Sequence, residues 1–485
     1  MICLRDLLDA SSQRLIGILE ILSVQKGWIT LTALADQVEA SERTVSVDLA
    51  VLRRRWGQQL KMEISTKNGI RLENQSTGIL GNVLLDIFND SMVLNWLKEL
   101  LIHPDNTTKY YEEKLFTSRS TLNRLLPKIN KAFAERGMWV QCRNDKYGIL
   151  SSDELYLRQF FTAFLLEMYG LNLQKYDIDV DLSVLMRIIQ SIEAKNQKFW
   201  SYSMMAGNDV IQVYLMAFYI VSLMREEQGF SLTPYGSTET KVSPEDLTYL
   251  KSRFPHVTEE NLQPINQFIY SIYNGWESET EENLVAREAE AFFERLFART
   301  QMNPDDRTRQ QLSFMLKSLY LTQKIRAMST SLLFDRIYYF SRSFQRSNAY
   351  LYRIIEENLQ RFCRNVRLDV MPRLQDLLFW MCRAYPELSR YTQPKTALVI
   401  SDFGIAHADF LVSLVSSFFN HGDLEILHVT ACAGAEAPAA RELERYDMVI
   451  TTVPDLPASH SNVILVDDYP TSENLLKIFS MLYCS

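Results

Sequence analysis

The segment TALADQVEASERTVSVDLAVLRRRW, residues 32–56, decides the fold of the N-terminal part of the chain. Its apolar residues recur with a helical period in two runs, a short one over Thr32–Val38 and a longer one over Glu42–Trp56. The residues Glu39–Ser41 between the two runs predict a turn. Ser11–Leu22 has the same helical period, so a further helix is expected before this segment.

The longer run places Val45, Leu49 and Leu52 on one inward face of a helix. After Gly57, the alternating pattern of Lys61–Glu73 predicts a β-hairpin that turns at Lys67-Asn68-Gly69. Helix, short helix, turn, helix and hairpin, in this order, are typical of a winged helix-turn-helix.

A second copy of the pattern follows 77 residues later, in YEEKLFTSRSTLNRLLPKINKA, residues 111–132. The matching positions are Ser41 and Ser118, Thr44 and Thr121, Val45 and Leu122, Leu49 and Leu126, Leu52 and Ile129, and Val38 and Leu115. A second hairpin is predicted over Met138–Leu150, with its turn near Asn144–Gly148. Pro127 lies inside the second long helix, which we therefore expect to kink or to end early.

The second helix of a helix-turn-helix reads the major groove, and cations beside it contact phosphates. Arginine and asparagine suit this role, since arginine forms bidentate hydrogen bonds with guanine and asparagine forms them with adenine. The DNA-binding candidates are Ser41, Arg43, Thr44, Ser46, Arg53, Arg54 and Arg55 in the first unit, and Ser118, Arg119, Thr121, Asn123, Arg124, Lys128 and Lys131 in the second. Lys67 and Lys146 are candidates for contacts from the hairpin tips. The alternative for Arg53–Arg55 is a solvated helix end that stabilises its own dipole.

The charge distribution agrees with a local anionic partner. The 485-residue chain has a net charge of −8, which excludes a uniformly basic nucleic-acid binder. Residues 1–150 nevertheless contain 20 basic and 17 acidic residues, and the excess grows to 17 against 11 within Arg43–Lys146. The rest of the chain contains 31 basic and 42 acidic residues.

The remaining sequence predicts helices followed by a small α/β domain. Helical periodicity dominates residues 151–390, whereas Gly229–Glu245 reads as a loop and Asn274–Glu282 as a separator of two helical bundles. Strands alternate with helices after residue 392, which predicts a parallel sheet. The predicted strands are Thr396–Ser401, Leu424–Val429, Met448–Val453 and Val463–Val466, and the predicted helices are Ala406–Asn420, Arg441–Arg445 and Ser472–Tyr483.

Signals for catalysis, metals and membranes are weak. The six cysteines are scattered without a CxxC pair or a Cys/His cluster, and no phosphate-binding or nucleophile-elbow motif occurs. We therefore expect no catalytic residues, no metal site and no cofactor. Ser401–Ala406 lies at a strand-to-helix junction that could bind an anion, although a structural turn is the simpler reading. The longest apolar run, Val213–Met224, is too short to cross a bilayer, so a cytoplasmic, reduced protein is expected.

The order of these segments resembles the Mga/AtxA-type virulence regulators of Gram-positive bacteria over nearly the whole chain. The resemblance implies a mainly helical, multidomain protein. It consists of two winged helix-turn-helix units (1–75 and 76–152), two all-helical domains like those regulated by the sugar phosphotransferase system (153–280 and 281–392) and an enzyme IIB-like α/β domain with a parallel sheet (393–485). The implied function is global transcription regulation, usually activation, as a dimer or larger assembly. The implied partners are double-stranded DNA, a second copy through the C-terminal domain, and phosphocarrier proteins of the phosphotransferase system.

Two departures from this family bear on regulation. The helical domains of the family carry histidine seven residues before arginine, but Phe218 precedes Arg225 here, and Leu319 takes the place in the second domain. His256 is the only histidine left there as a phosphorylation candidate, and an exposed pre-helix histidine is its simpler reading. In the C-terminal domain Ser401 replaces the phosphorylated cysteine of enzyme IIB. A serine hydroxyl is far less ionised than a thiol, so we expect a retained fold without phosphotransfer.

Two other functions stay open at this point. One is a protein-interaction hub with degenerate helix-turn-helix units, which Pro127 and the net negative charge would allow. The other is a phosphotransfer protein that uses Ser401 or His407 as acceptor.

Overall fold

The computed structural model describes residues 4–25, 27–73, 76–170, 172–176, 178–194, 209–234, 240–325, 332, 334–391, 395–420, 427–433, 443–454 and 462–483. The chain divides into two compact units. The first comprises residues 1–275 with 325–336, and the second comprises residues 276–324 with 337–485.

The first unit contains helices and two β-hairpins. Its helices are α1 (Ala10–Val24), α2 (Leu31–Gln37), α3 (Glu42–Leu60), α4 (Thr77–Asn89), α5 (Met92–Ile102), α6 (Thr108–Lys114), α7 (Arg119–Ala134), α8 (Glu154–Tyr169), α9 (Leu182–Ala194), α10 (Asp209–Glu227), α11 (Pro244–Arg253) and α12 (Glu259–Asn274). The hairpins are β1 (Met62–Ser65) with β2 (Gly69–Leu72), and β3 (Met138–Arg143) with β4 (Lys146–Ser151). Short 3₁₀ helices occur at Leu4–Leu7 and Leu173–Tyr176.

The second unit contains helices and one sheet. Its helices are α13 (Glu279–Thr300), α14 (Asp306–Lys324), α15 (Arg336–Ser347), α16 (Ala349–Val366), α17 (Leu374–Ala384), α18 (Ile405–Phe419) and α19 (Ser472–Tyr483), with α15 beginning at the last residue of the first unit. The strands are β5 (Lys395–Ser401), β6 (Leu427–Ala433), β7 (Met448–Thr451) and β8 (Val463–Leu465). Short 3₁₀ helices occur at Met371–Arg373 and Pro386–Arg390.

The first predicted helix-turn-helix with hairpin is observed. The Thr30 hydroxyl caps α2 and the Ser41 hydroxyl caps α3, each by accepting a backbone N–H of the first turn. Glu39, in the turn between them, has a left-handed backbone with φ of 52°. Gly69 begins β2 with φ of 98°, and a side chain there would place Cβ 2.0 Å from the carbonyl oxygen of Ile29. Only glycine fits this close approach.

The second copy repeats the first at the predicted spacing of 77 residues. Thr107 caps α6 and Ser118 caps α7, and Phe116 in the turn has φ of 50°. Asn144 and Asp145 form a two-residue hairpin turn with φ of 51° and 62°, the geometry that matches the twist of paired strands. The predicted tandem arrangement of helices and hairpins is therefore present.

Of the two outcomes expected at Pro127, a kink or an early end of the helix, the early end was wrong. The helix α7 continues through Pro127 to Ala134. Proline removes one backbone hydrogen bond at a cost of about 3 kcal/mol, but Leu122, Ile129 and Phe133 are fully buried on either side of it. Pro127 lies on the exposed face of α7, where a carbonyl group without its helical partner is accessible to water.

Helices α4 and α5 link the two copies, and the sequence patterns did not predict them. The Trp56 indole N–H donates to the Asp86 carboxylate on α4 over 2.9 Å. The Trp96 ring on α5 packs edge-on against Tyr147 of the second hairpin at 5.3 Å. These contacts join both helix-turn-helix copies within the first unit.

The rest of the first unit is the predicted helical region. The central helix is α10, whose residues Leu215, Phe218 and Tyr219 are fully buried, and the Phe218 ring contacts Phe268 of α12 at 4.8 Å. The predicted loop over Gly229–Glu245 overlaps the first two residues of α11, which begins at Pro244, and its residues 235–239 lie outside the described part.

In the second unit, the predicted parallel sheet is confirmed. Its strand order is β6-β5-β7-β8, and all three pairings are parallel. Buried residues of α18 and α19 form one core with the sheet. The first two residues of the short helix predicted over Arg441–Arg445 lie outside the described residues, as does the start of the strand predicted over Leu424–Val429. Helices α13 to α17 share a separate core.

Two general properties concern the described part of the chain alone. No helix there combines the length and the apolar character needed to cross a membrane. No group of three or more His, Cys, Asp or Glu side chains there could hold a metal ion.

A buried acid in α9 makes the stability of the first unit depend on pH. Glu193 is 2% exposed, and neither carboxylate oxygen has a hydrogen-bond partner among the described residues. Burial raises the pKa of Glu193 to about 7. The native state therefore holds a proton that the unfolded chain releases above pH 4.5, and stability falls as pH rises through this window.

We expect the Glu193→Gln variant to be more stable than the parent at pH 8 by up to about 3 kcal/mol, and nearly equal to it at pH 5. Urea unfolding at both pH values measures the difference. An equal gain at both pH values would show that the carboxyl group is not protonated by burial.

Candidate nucleic-acid interface

The outward face of α3 combines cations with small side chains. Arg43, Ser46, Val47, Ala50 and Arg54 are all exposed and recur at helical spacing. The opposite face of the helix is buried, as the sequence predicts. The helix is therefore held with one defined side toward solvent, as a recognition helix requires.

The outward face of α7 matches that of α3 position by position. The residues 77 positions later are Ser120, Asn123, Arg124, Pro127 and Lys131, and all are exposed. Asn123 replaces Ser46 and Arg124 replaces Val47. The second helix thus carries the two side-chain types that suit direct base recognition.

Five of the eight candidate cations are available to a ligand. They are exposed and have no ion pair or hydrogen bond with any residue that the structure describes, and they comprise Arg43, Arg53, Arg54, Arg124 and Lys131. Such cations can neutralise phosphates without first breaking a protein contact.

Arg55 is already engaged within the protein. Its guanidinium group lies 2.5 Å from the Asp90 carboxylate and 4.2 Å from the centre of the Trp56 ring. It tethers α3 to the end of α4. A phosphate contact from Arg55 would have to replace this pair.

Arg119 is turned toward the tip of its own hairpin. Its Nη2 atom lies 3.2 Å from Asp145 Oδ1, and the Thr108 hydroxyl donates to the same carboxylate over 2.6 Å. The charge of Arg119 is therefore partly neutralised at the start of α7.

Lys128 binds the N-terminal end of the chain. Its ammonium group donates to the carbonyl oxygens of Leu7 and Leu8 over 3.1 and 2.9 Å. The side chains of Leu4, Leu7 and Leu8 are buried. This contact makes Lys128 a link between the chain start and α7, which a DNA contact would have to replace.

Four of the hydroxyl candidates serve the helix starts. Ser41 accepts the N–H of Thr44, and Ser118 accepts that of Thr121. The threonine hydroxyls bond to the same serines at 2.8 and 3.0 Å. These side chains hold the recognition helices in place. Ser46 lies farther along α3, on its exposed face.

Each hairpin offers one exposed lysine near its tip, whereas the arginine on the first hairpin is paired. Lys67 and Lys146 are exposed near the tips of the first and second hairpins. Arg71 on β2 is paired with Glu63 over 2.7 Å and with Glu73 over 3.4 Å. The hydrogen bond from Arg71 holds the pKa of the Glu63 carboxyl below its usual value, so this pair stays charged and closed.

Two exposed apolar residues were not among the sequence candidates. Val47 is 59% exposed on the outward face of α3, where a methyl group can contact thymine. The helical period that placed Val45 and Leu49 inward also places Val47 outward and would have identified it. Phe116 in the second turn is 96% exposed, and nothing in the local pattern distinguishes it from a buried residue.

The remaining candidates lie away from the helix-turn-helix copies. His256 is exposed just before α12, with Nδ1 2.7 Å from Glu227 Oε1. The Ser401 side chain is buried at the end of β5, and its hydroxyl bonds to His407 Nδ1 over 2.7 Å. Because His407 Nε2 faces the carbonyl oxygen of Asp468 at 2.8 Å, that nitrogen carries the proton and Nδ1 accepts from Ser401.

Comparison with known proteins identifies the second copy. Residues 79–165 match the Mga helix-turn-helix domain family, a span that includes α5, α6, α7 and the second hairpin. A protein of Streptococcus pneumoniae serotype 4 named "Putative trans-acting regulator" is 26% identical over 166 residues, which are 34% of this chain and 33% of that protein. The "Capsule synthesis positive regulator AcpA" of Bacillus anthracis is 20% identical over 162 residues, 33% of each chain.

This chain thus spans about a third of the length of the curated relatives it matches. The match to the domain family covers the recognition helix α7 and the free cations Arg124 and Lys131. Residues 79–165 are therefore similar to the Mga helix-turn-helix domain, and the resemblance to Mga/AtxA-type regulators seen in the sequence is confirmed.

Proposed function

We propose that this chain is a DNA-binding transcription regulator whose two winged helix-turn-helix units contact one duplex. The observation that carries the proposal is the pair of outward faces on α3 and α7, which match at a spacing of 77 residues. They present four of the five cations that have no ion pair or hydrogen bond with a described residue. The Mga helix-turn-helix domain and the regulators named above support the same function.

The proposed direction of control is activation. One relative is named a positive regulator of capsule synthesis, and the family resemblance implies global activators. The base contacts would come from Arg43, Ser46, Asn123 and Arg124, and the phosphate contacts from Arg53, Arg54, Lys131 and the hairpin lysines.

The helical regions would regulate DNA binding without histidine phosphorylation at the family positions. Phe218 and Leu319 stand at those positions, and both are buried apolar side chains. Phosphocarrier proteins of the phosphotransferase system would have only the exposed His256 to modify there. In this proposal the two helical domains span residues 153–280 and 281–392, between the second winged unit and the C-terminal domain.

The C-terminal domain would keep an enzyme IIB-like fold and serve self-association. Its serine in place of the family cysteine is buried, and the Ser401 hydroxyl both donates to His407 and accepts the N–H of Phe403. Because the Ser401 side chain is buried and a hydroxyl is far less ionised than a thiol, Ser401 is a poor phosphate acceptor, which favours a dimerisation role over phosphotransfer.

We expect DNA affinity to fall roughly 10²- to 10³-fold between 50 and 200 mM salt, because five cations would displace condensed counterions. The Arg119→Ala, Arg124→Ala double variant should lose a further 10- to 100-fold or so, most of it through Arg124, since Arg119 is already paired with Asp145. Fluorescence anisotropy with a labelled duplex measures both effects.

The matched control is the Lys251→Ala, Arg307→Ala double variant, which removes two exposed cations from helices outside the winged units. It should bind DNA like the parent. Equal affinity of the Arg119/Arg124 variant and this control would show that the second winged unit does not contact DNA. Absence of any binding at low salt would refute the proposed function.

A second expectation concerns the acidic tip of the second hairpin. Asp145→Asn removes a negative charge that faces DNA and releases Arg119, so DNA affinity should rise roughly 3- to 10-fold at low salt. Asparagine adopts the left-handed backbone of this position readily, so the turn is retained. Asp179→Asn, which opens the exposed pair with Arg253, is the control and should leave affinity unchanged. Unchanged affinity of the Asp145 variant would place this hairpin tip away from DNA.

A third expectation concerns assembly. Deleting residues 394–485 should convert a dimer into a monomer in sedimentation velocity experiments, whereas the Lys251→Ala, Arg307→Ala variant should remain dimeric. An unchanged mass after the deletion would exclude the C-terminal domain as the dimer contact.

A further inference from the structure

A cluster of four charged side chains lies where the second winged unit meets the helical region of the first unit. The strand β4 ends at Ser151, and α8 begins at Glu154 after a cap by Asp153. The members of this charge cluster are Glu154 and Arg158 on α8, and Arg225 and Glu226 on α10. They are 14%, 0%, 3% and 0% exposed at their side chains, in that order.

Arg225 joins three elements through one guanidinium group. Its Nε and Nη2 atoms bind the two carboxylate oxygens of Glu154 over 2.7 and 2.9 Å. Its Nη1 atom donates to the carbonyl oxygen of Ile149 on β4 over 3.1 Å. The group also lies 3.9 Å from the ring centre of Phe230. Arginine has the planar set of donors that this arrangement requires, and lysine does not.

The second arginine closes the cluster. Arg158 Nη2 lies 2.8 Å from Glu226 Oε1 and donates to the carbonyl oxygen of Phe230 over 2.6 Å. Its Nε atom lies 3.3 Å from the same Glu154 carboxylate that Arg225 binds. Two positive and two negative groups balance in charge, which is the condition for burying them together.

The contact between Arg225 and β4 connects the helical region to the second hairpin. The Ile149 carbonyl belongs to the backbone of the second hairpin, whose tip offers Lys146 to the proposed DNA ligand. A residue of the central helix α10 therefore holds the wing through the backbone of β4, three residues from Lys146. The 77-residue repeat puts the uncharged Thr77 where Glu154 stands, so the first hairpin has no equivalent of this ion pair.

The surroundings leave room for this connection to move. A cavity of about 380 Å³ opens beside it and is lined by Ser151, Ser152, Asp153, Glu154 and Leu155, by Ser231, Leu232 and Thr233, and by Pro264 and Phe268. One side of Glu154 is thus not packed against protein. The position of the Glu154 side chain therefore depends on its charged contacts more than on close packing.

We propose that Arg225 is a positioning residue for the second wing, through which the helical region sets the contact of that wing with DNA. The part of this inference that concerns DNA rests on the proposed function. The part that concerns the wing does not. A shift of α10 would move the guanidinium group and with it the backbone of β4.

The first test is amide hydrogen exchange of the full-length Arg225→Gln variant without DNA. Exchange in the second hairpin, residues 138–151, should rise about tenfold, while the first hairpin, residues 62–72, should change less than about twofold. Arg187→Gln is the matched control, because it opens an ion pair between exposed Arg187 and the buried Asp246 carboxylate in the same helical region. It should change neither hairpin.

The second test is a double-mutant cycle on DNA affinity between Arg225→Gln and Lys146→Ala. Lys146→Ala alone should weaken binding roughly 3- to 10-fold at low salt. If Arg225 acts through the wing, this loss should disappear in the Arg225→Gln background, whereas a purely structural role would leave the two effects multiplicative.

Two results would overturn the inference. One is equal exchange in both hairpins of Arg225→Gln, and the other is a Lys146→Ala effect that persists in full in that background. Should Arg225→Gln fail to fold, Arg225→Lys replaces it, since lysine keeps the charge facing Glu154 but cannot also hold Ile149. Loss of DNA binding by the parent protein would refute the proposed function, while the exchange experiment would still decide the role of Arg225.

Discussion

Both recognition helices depend on one backbone constraint, a left-handed residue in the turn that precedes them. Glu39 and Phe116 adopt φ of 52° and 50°, a region that costs a non-glycine residue about 1 to 3 kcal/mol. The serine caps that follow, Ser41 and Ser118, offset part of this cost by about 1 kcal/mol each. The turn sets the angle at which each long helix leaves the short one. The outward faces of α3 and α7 match only because both copies keep this geometry.

Given those faces, charge pairing decides which cations are available. An exposed ion pair contributes little to folding, since its Coulomb energy in water is offset by lost side-chain freedom. The same pair still affects the binding of a polyanionic ligand, because the charge of its arginine is already neutralised by the carboxylate. Arg55 and Arg119 are held in this way, and Lys128 is occupied by backbone carbonyl groups. Fewer cations are thus available to a polyanionic ligand than the basic residues of the sequence suggest.

Buried charge has a different role in the helical region. Arg225 lies on α10 seven residues after Phe218, whose ring packs against Phe268. Its guanidinium group donates to Glu154, to the Gln228 side chain and to the backbone of the second hairpin. Removing one partner of such a buried pair typically costs about 3 to 5 kcal/mol, so the connection between hairpin and helix is strongly held.

Much of the architecture could be predicted from local sequence patterns. The periodicity of Thr32–Val38 and Glu42–Trp56, its repeat 77 residues later and the hairpin turns identified both winged units, and alternation of strands and helices identified the C-terminal parallel sheet. The sequence by itself determined these elements, because helical period, caps and turn residues act over a few positions. Only the tertiary structure decided that α7 passes through Pro127 and that Lys128 and Arg225 are engaged. Lys128 binds Leu8, 120 residues away in the chain, and Arg225 binds Glu154, 71 residues away. Such pairs form only once packing brings distant segments together.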